Sequence, residues 1–175
     1  MLLRSLLLGT AIVLSNPAFA QQATTPVPAA DSAAIVDPEQ FVTMASIGNT
    51  FEIASSTEAK ERSQNADVLA FADQMAADHT KAAQELTAAA GAESLTPADD
   101  LDEKHQEILD GLTDADDAAF DAAYIVAQVQ AHDETVALFE GYSANGPAGA
   151  LKDFATKTLP TLKMHQEHAH ALSGH

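Results

Sequence analysis

Four long segments of this chain repeat apolar side chains at spacings of three and four residues. Such spacing places the side chains on one face of an α-helix, whereas a half-buried strand alternates at every second position. The sequence contains no strand-like alternation of useful length. It therefore predicts an all-α domain in which four long helices cover residues 38–62, 66–91, 117–143 and 147–172.

Local signals mark where these helices begin and end. Residues 37–38 combine an N-cap Asp with a Pro at the first helical position. The Thr-Pro pair at residues 96–97 predicts a shorter helix that ends near Leu112. A capping box is expected over residues 113–116, before the third long helix. Gly146 is expected to adopt the left-handed conformation that often ends a helix.

The lengths of the connections predict the topology. Short links join the first two and the last two long helices, so each pair should form an antiparallel hairpin. The link of about 25 residues between the pairs can span helices of about 36 Å, and it carries the shorter helix. We predict a ferritin-like antiparallel four-helix bundle with a short extra helix in the long crossover. Pro160 should kink the last helix or leave a backbone carbonyl unpaired.

The N-terminal region differs from the rest of the chain. Residues 1–20 have the features of a signal peptide, with an apolar run over residues 6–14 and a small-residue cleavage signal that ends at Ala20. Residues 21–36 are expected to be a disordered leader, and residues 37–173 the bundle domain. We expect a periplasmic or secreted protein after cleavage near Ala20. The apolar run is too short to predict membrane insertion of the mature chain.

Two features of the composition limit the chemistry. The chain has no cysteine, which excludes disulfides, a lipoprotein anchor and thiolate metal ligands. Its 26 acidic and 8 basic residues give a formal net charge of −18, which disfavours nucleic acid and anionic membrane surfaces as partners. The acidic residues are interpreted first as a solvated surface and second as a loose attractant for cations.

One ionisable residue falls near the middle of each long helix: Glu52, His79, His132 and His165. The histidines lie at helical spacing from apolar residues, and small residues surround Glu52, so all four can share one core layer. Buried ionisable groups are costly unless they are paired or bound to a metal. Three imidazoles and a carboxylate suit Zn, Fe, Mn, Ni or Cu, and they do not select one of these.

Other residues could contribute to this metal site, and other interpretations of the polar layer compete with it. Asp78 and Glu134 are near enough in sequence to hydrogen-bond the histidines or to replace a ligand. The competing interpretation is a metal-free, hydrogen-bonded layer that fixes the register of the helices. A di-iron site is disfavoured because no central histidine has a glutamate three residues before it. The C-terminal histidines His168, His170 and His175 form a second cluster, which is either a loose metal site or a solvated helix end.

Four stretches resemble motifs of one bacterial family: FADQMAADHTK at 71–81, FDAAY at 120–124, QVQAH at 128–132 and TLPTLKMH at 158–165. The chain is similar to this family from about Pro38 to Leu172. Its members are exported ferritin-like proteins of unknown function, often labelled outer-membrane proteins. The resemblance implies the ferritin-like fold and marks the four central ionisable residues as signature positions. It implies no settled activity.

These observations lead to three hypotheses of function. The first is an exported ferritin-like protein that binds one transition metal in its core and serves metal handling or stress protection. The second is a metal-free structural or interaction module with a hydrogen-bonded polar layer. The third is a metal-dependent redox or hydrolytic enzyme, which needs an open coordination position and an access path. The sequence leaves substrate, protein partners and homo-oligomers open.

Overall fold

The computed structural model describes residues 37–174 of the chain, where the regular structure consists of five α-helices. Their bounds are α1 Pro38–Arg62, α2 Ala66–Ala92, α3 Glu103–Thr113, α4 Asp117–Asn145 and α5 Ala150–Ser173. This part of the chain contains no strand, so the predicted all-α class is confirmed. None of the described helices is both long and apolar enough to cross a membrane. The predicted signal peptide and leader, residues 1–36, lie outside the described residues.

Local capping explains where the first two helices begin. The Asp37 carboxylate accepts a hydrogen bond from the Gln40 N–H at 2.9 Å, and Pro38 occupies the first turn of α1. The Asn65 side chain accepts from the Asp67 N–H at 2.9 Å and caps α2. Each of these side chains accepts a hydrogen bond from an N–H of the first turn, which has no acceptor within the helix. Both starts agree with the sequence prediction.

The crossover helix α3 begins later than predicted. It starts at Glu103, several residues after the Thr-Pro signal. The Ala98 N–H donates to the Ser46 hydroxyl of α1 at 2.9 Å, which ties the non-helical stretch before α3 to the bundle. Asp102 is the N-cap, because its carboxylate accepts from the His105 N–H at 2.9 Å. The predicted start is therefore wrong, since a contact with α1 overrides the local signal.

The turn between α3 and α4 is stabilised by Arg62 and not by the expected capping box. Asp116 precedes α4, but its side chain makes no capping hydrogen bond. The Arg62 guanidinium donates to the carbonyls of Leu112 and Thr113 at 2.7 and 3.1 Å. It also lies 4.5 Å above the centre of the Phe120 ring. The capping-box prediction is wrong because a cation from α1 fixes this turn.

The link between α4 and α5 also differs from expectation. Gly146 has φ −60° and ψ 156°, so its backbone is extended and not left-handed as predicted. The Glu93 carboxylate, from the loop after α2, accepts from the Leu151 N–H at 2.9 Å and caps α5. Gly149 permits this approach, because an added Cβ would lie 2.5 Å from a Glu93 oxygen. A long-range acceptor thus takes the place of a local cap.

Contacts between neighbouring helices establish the topology. Each pairs an early residue of one helix with a late residue of the other: Lys60 with Asp73, Phe41 with Tyr142, Glu85 with Lys157, and Phe139 with Phe154. All four neighbouring pairs are therefore antiparallel. The helices α2 and α4 are then diagonal and parallel, so the chain must cross the length of the bundle between them. This is the predicted ferritin-like arrangement, with α3 packed against α1 and α4.

The core consists of two apolar clusters with polar residues between them. The first apolar cluster lies where α1 begins and contains Phe41, Val42, Ala45, Leu86, Ala89, Ala90, Val136, Leu138, Phe139, Tyr142, Leu151, Phe154, Ala155 and Leu162. The second lies where α1 ends and contains Phe51, Ala59, Val68, Phe71, Ala72, Met75, Leu112, Phe120, Tyr124, Ala127 and Ala169. Along α1, α2, α4 and α5, respectively, Glu52, His79, His132 and His165 form the polar layer between the two.

Pro160 lies inside α5, and the helix continues through it. Because Pro has no N–H, the carbonyl of Thr156, four residues earlier, lacks its helical donor. The turn of α5 that leads to His165 therefore has one backbone hydrogen bond fewer than a regular helix.

Candidate metal centre

The polar layer places four ionisable side chains in the centre of the bundle. Their exposed fractions are 2% for Glu52, 3% for His79, 1% for His132 and 1% for His165. Each comes from a different long helix, on the face that packs toward the core. Charges buried to this extent require compensation from a partner, a proton or an ion.

The three histidines form a compact triangle, which we call the histidine triad. The ring centres lie 5.6 Å apart for His79 and His132, 5.5 Å for His79 and His165, and 5.6 Å for His132 and His165. One ring nitrogen from each histidine lies within 4.8 Å of the corresponding nitrogen of the other two. A single ion can therefore approach all three after small side-chain movements.

The other nitrogen of each ring is held by an oxygen atom. His79 Nδ1 lies 3.0 Å from the Asn49 side-chain oxygen, and His132 Nδ1 lies 2.9 Å from the Gln128 backbone carbonyl. His165 Nε2 lies 3.0 Å from the Asp78 carboxylate. Because all three partners are acceptors, the nitrogen that faces each of them must carry the proton. Such bonds fix the tautomer and the ring orientation of metal-binding histidines.

The remaining nitrogens are buried without a hydrogen-bond partner. They are Nε2 of His79, Nε2 of His132 and Nδ1 of His165. In a neutral histidine whose other nitrogen is protonated, each of these atoms carries a lone pair. Three lone pairs are thus close together in the core, and none of them can donate a hydrogen bond to another. This donor set fits a transition-metal ion.

Glu52 lies beside the triad but contacts it differently. Its Oε1 is 3.6 Å from His132 Nδ1, which is too long for a hydrogen bond, and neither carboxylate oxygen has a hydrogen-bond partner. His132 Nδ1 is also the nitrogen that faces the Gln128 carbonyl. The carboxylate therefore approaches the outer side of the His132 ring, where it would supply negative charge next to the donor set when it is ionised.

Burial shifts the pKa values of His79, His165 and Glu52 in the direction that favours their neutral forms. Burial lowers the pKa of His79 well below 6.5, and the neighbouring His132 and His165 lower it further. Burial also lowers the pKa of His165, although its hydrogen bond to Asp78 acts in the opposite direction. For Glu52, burial raises the pKa above 4.5, while proximity to His132 opposes the shift. Neutral imidazoles are the form that binds a metal.

Of the two outer residues predicted from the sequence, Asp78 and Glu134, one contacts the triad and the other does not. Asp78 contacts His165, in agreement with its predicted role. Glu134 does not contact the triad, because its carboxylate binds Lys104 and the Gln130 amide on the surface. Sequence reasoning missed Asn49, which is 6% exposed and lies three residues before Glu52 on the same side of α1. That spacing is the signal that could have identified it.

The remaining histidines lie away from the triad. His170 Nε2 is 2.8 Å from the Asp133 carboxylate, and both side chains are about half exposed. His168 packs edge-on against the Phe71 ring, with 5.0 Å between the ring centres. His105 of α3 lies 2.6 Å from Asp102. The third histidine of the C-terminal cluster, at position 175, lies outside the described residues.

The sequence of this chain matches one known protein family over most of its length. The family described as a domain of unknown function (DUF4142) matches residues 22–172. The chain belongs to this family. Its description names no activity, and among curated proteins none matches the chain at a significant level. The family assignment agrees with the expected family of unknown function.

A solved structure supports the fold of this DUF4142 domain. The crystal structure of a DUF305 fragment from Deinococcus radiodurans is similar, with a TM-score of 0.68 and 15% sequence identity. The match covers 79% of this chain and 97% of that fragment. At this identity the similarity concerns the helical bundle alone. The chemistry of the site therefore depends on the residues of this chain alone.

Proposed function

We propose that this DUF4142 protein is exported and that its histidine triad binds one transition-metal ion, for metal handling or stress protection. The observation that carries the proposal is the set of three buried ring nitrogens without partners, which belong to His79, His132 and His165. Asn49, Asp78 and the Gln128 carbonyl bind the opposite nitrogens. A metal ion compensates all three unpaired atoms at once.

The metal-free interpretation is less consistent with these contacts. A polar layer that serves only to fix helix register should pair its buried donors with its buried acceptors. Here the three inner nitrogens are all acceptors, so they cannot pair with one another. Both oxygens of the Glu52 carboxylate also lack partners. Groups of this kind cost about 1–3 kcal/mol each when they are left unpaired, which favours a bound cation.

The charges near the triad suit a divalent ion. Three neutral imidazoles add no charge, whereas Glu52 and Asp78 each supply one negative charge when ionised. The Glu52 carboxylate is buried beside His132, and the Asp78 carboxylate contacts His165. When both are ionised, together they balance the charge of one divalent ion. The same cation would favour the ionised form of Glu52, against the effect of burial.

The donor set also restricts the kind of site. Three nitrogen ligands are suitable for Zn, Fe, Mn, Ni or Cu. A ferritin-type di-iron site requires additional inward carboxylates, and Glu52 is the carboxylate of the polar layer. Three protein ligands leave a coordination position open, as in catalytic metal sites. A metal-dependent redox reaction is therefore the second candidate function, and it would use the same triad.

Metal analysis of the mature protein tests the proposal. Purified protein should contain about one ion per chain, and His79→Ala and His132→Ala should each lose it. His170→Ala is the matched control, because it removes an exposed histidine outside the triad, and it should retain the metal. Circular dichroism should verify that each variant is folded. A folded wild type that neither contains nor takes up Zn, Mn, Fe, Ni or Cu would refute the proposal and favour the metal-free module.

Export is a separate part of the proposal. It is supported by the signal-peptide features at residues 1–20. Expression of the full chain in a bacterium, followed by fractionation and intact-mass measurement, should show a periplasmic or secreted product that begins near Gln21. A cytoplasmic product that retains residues 1–20 would contradict export and leave the metal-binding test unaffected.

A further inference from the structure

The histidine triad is closed to solvent, so a metal ion must displace part of its wall to reach it. Each unpartnered nitrogen exposes less than 1 Å². The outer partners of the three rings differ in exposure. Asn49 is 6% exposed and Gln128 is fully buried, whereas the Asp78 side chain is 40% exposed. Asp78 is therefore the partner that contacts water.

Asp78 also lines an open groove between α2 and α5. The groove includes Lys81, Glu85, Lys157, Thr158 and Thr161. From Asp78 the path inward is short, because its Oδ2 lies 3.0 Å from His165 Nε2. The other nitrogen of the same ring is the buried Nδ1 that belongs to the triad. One side chain thus separates the groove from the metal ligands.

The helix wall beside this groove is weakened at Pro160. This residue lies between Thr158 and Thr161, which border the groove. The carbonyl of Thr156 has no N–H donor from position 160. Local opening of a helix is easier where a backbone hydrogen bond is missing. Displacement of His165 is therefore less costly here than at the regular turns of α2 and α4 that carry the other two histidines.

From these observations, and resting on the proposed function, we infer that a hydrated divalent cation reaches the triad through the α2–α5 groove. Asp78 receives the cation and replaces its hydrogen bond to His165 with a bond to the ion. The freed imidazole moves aside, and the ion passes to the three inner nitrogens. His165 then returns and donates to Asp78 again. Asp78 is thus a positioning residue that controls the rate of metal exchange.

The charges in the groove provide a test with two opposite outcomes. Lys157 binds Glu85 at 3.0 Å, so these two charges compensate each other. Asp78 and Lys81 then determine the local potential. Asp78→Asn makes the groove more positive and should slow the association of a cation, whereas Lys81→Gln makes it more negative and should accelerate association. A change in the stability of the folded core would not slow cation association in one variant and accelerate it in the other.

Stopped-flow measurement of Co²⁺ and Zn²⁺ association with the metal-free mature protein provides the readout. We expect Asp78→Asn to slow association about tenfold and Lys81→Gln to accelerate it several-fold, with both effects reduced by salt. Asp133→Asn is the matched control. It removes the same charge from a half-exposed carboxylate that binds His170, on the α4–α5 side of the bundle. It should associate within about twofold of wild type.

The proposed role of Pro160 in the displacement of His165 can be tested separately. Pro160→Ala restores the N–H donor to the Thr156 carbonyl and should slow association and release by similar factors. The dissociation constant should remain unchanged, because no ligand is altered. This split between rate and affinity is not expected from a purely structural role.

Failures of the two proposals are distinguishable. If wild type binds metal and Asp78→Asn associates at the wild-type rate, the route is wrong while the triad remains a metal site. Equal slowing by Asp133→Asn would also overturn it, because loss of overall charge would then explain both variants. A wild type that binds neither Co²⁺ nor Zn²⁺ would refute the metal site itself. Circular dichroism should verify the fold of Asp78→Asn, and Lys81→Gln provides an independent test.

Discussion

The first apolar cluster and the polar layer are similarly buried, but their side chains are paired to different degrees. In the cluster, Phe41 stacks on Tyr142 with 4.0 Å between ring centres, and it meets Phe139 edge-on at 5.1 Å. The Tyr142 hydroxyl is its unpaired buried side-chain atom among the described residues. In and around the polar layer, unpaired atoms belong to Asn49, Glu52, His79, Gln128, His132 and His165.

This difference separates stability from function. Packing of apolar groups stabilises the fold without further components. Buried polar atoms without partners destabilise it and persist where they serve another purpose. We therefore expect the clusters to respond to changes of side-chain volume and the polar layer to respond to metal and to protons.

The largest effect is expected in the apolar cluster. Phe41→Ala removes an aromatic ring that is fully buried and should lower the free energy of unfolding by about 3–5 kcal/mol. The loss should be the same with and without added metal, because the cluster is separate from the triad. Urea unfolding measures it, and Phe41→Leu should lose much less. A loss that depends on metal would contradict the separation of the two regions.

Metal should have the next largest effect, through the polar layer. A metal that binds the folded state alone should raise the free energy of unfolding by about 2.7 kcal/mol at a free concentration of 100 times Kd. His132→Leu keeps the position apolar and filled, and it should show no such increase. Thermal unfolding with and without a chelator measures the difference. Equal stabilisation of wild type and His132→Leu would place the ion elsewhere.

The metal-free protein should lose stability in mild acid. The folded pKa values of His79 and His165 lie below the unfolded value of 6.5, so the unfolded chain binds protons that the fold excludes as pH falls through 6.5. Glu52 acts oppositely, because its folded pKa lies above 4.5 and its contribution is lost as pH rises. Because two histidines act against one carboxyl, the free energy of unfolding should fall as pH falls from 7.5 to 5.5.

Urea unfolding between pH 7.5 and 5.5 with a chelator tests this slope. Glu52→Gln removes the opposing carboxyl and should make the loss in acid steeper. His170→Ala should leave the slope unchanged, because this histidine is exposed and outside the layer. Stability that is independent of pH in wild type would mean that the layer binds protons equally in both states.

The smallest effect is expected at a polar contact that is fully paired. Glu93→Ala removes the carboxylate that accepts from the Leu151 N–H and should cost about 1 kcal/mol, the usual value for loss of a helix cap. Glu93→Gln keeps an acceptor and should cost less. Thermal unfolding measures both. A cost for Glu93→Ala as large as that of Phe41→Ala would contradict the ranking of the two kinds of contact.

The sequence predicts the parts of this fold that depend on periodicity. The spacing of apolar residues placed α1, α2, α4 and α5 to within a few residues, and it placed Glu52 and the three histidines on core-facing sides. Periodicity works here because each long helix has to bury one face. The lengths of the links were sufficient for the ferritin-like topology.

Contacts between distant residues could not be read in this way. The start of α3 depends on Ser46, the α4–α5 link depends on Glu93, and the α3–α4 turn depends on Arg62. Each partner lies about 50 residues or more from its contact, so no local signal reveals it. The site shows the same limit. The histidines were predicted, but the orientation of each ring depends on partners such as Asn49 that only the packed bundle defines.

The distribution of the triad over the chain has a consequence for folding. His79 belongs to the first hairpin, whereas His132 and His165 belong to the second, and the crossover is the sole covalent connection between the hairpins. An ion shared by the three would act as a reversible cross-link between the two halves. Because such an ion binds the folded state alone, its binding free energy would add to the apolar packing that already joins the hairpins. In a chain without cysteine, metal supply would then affect how strongly the two hairpins are held together.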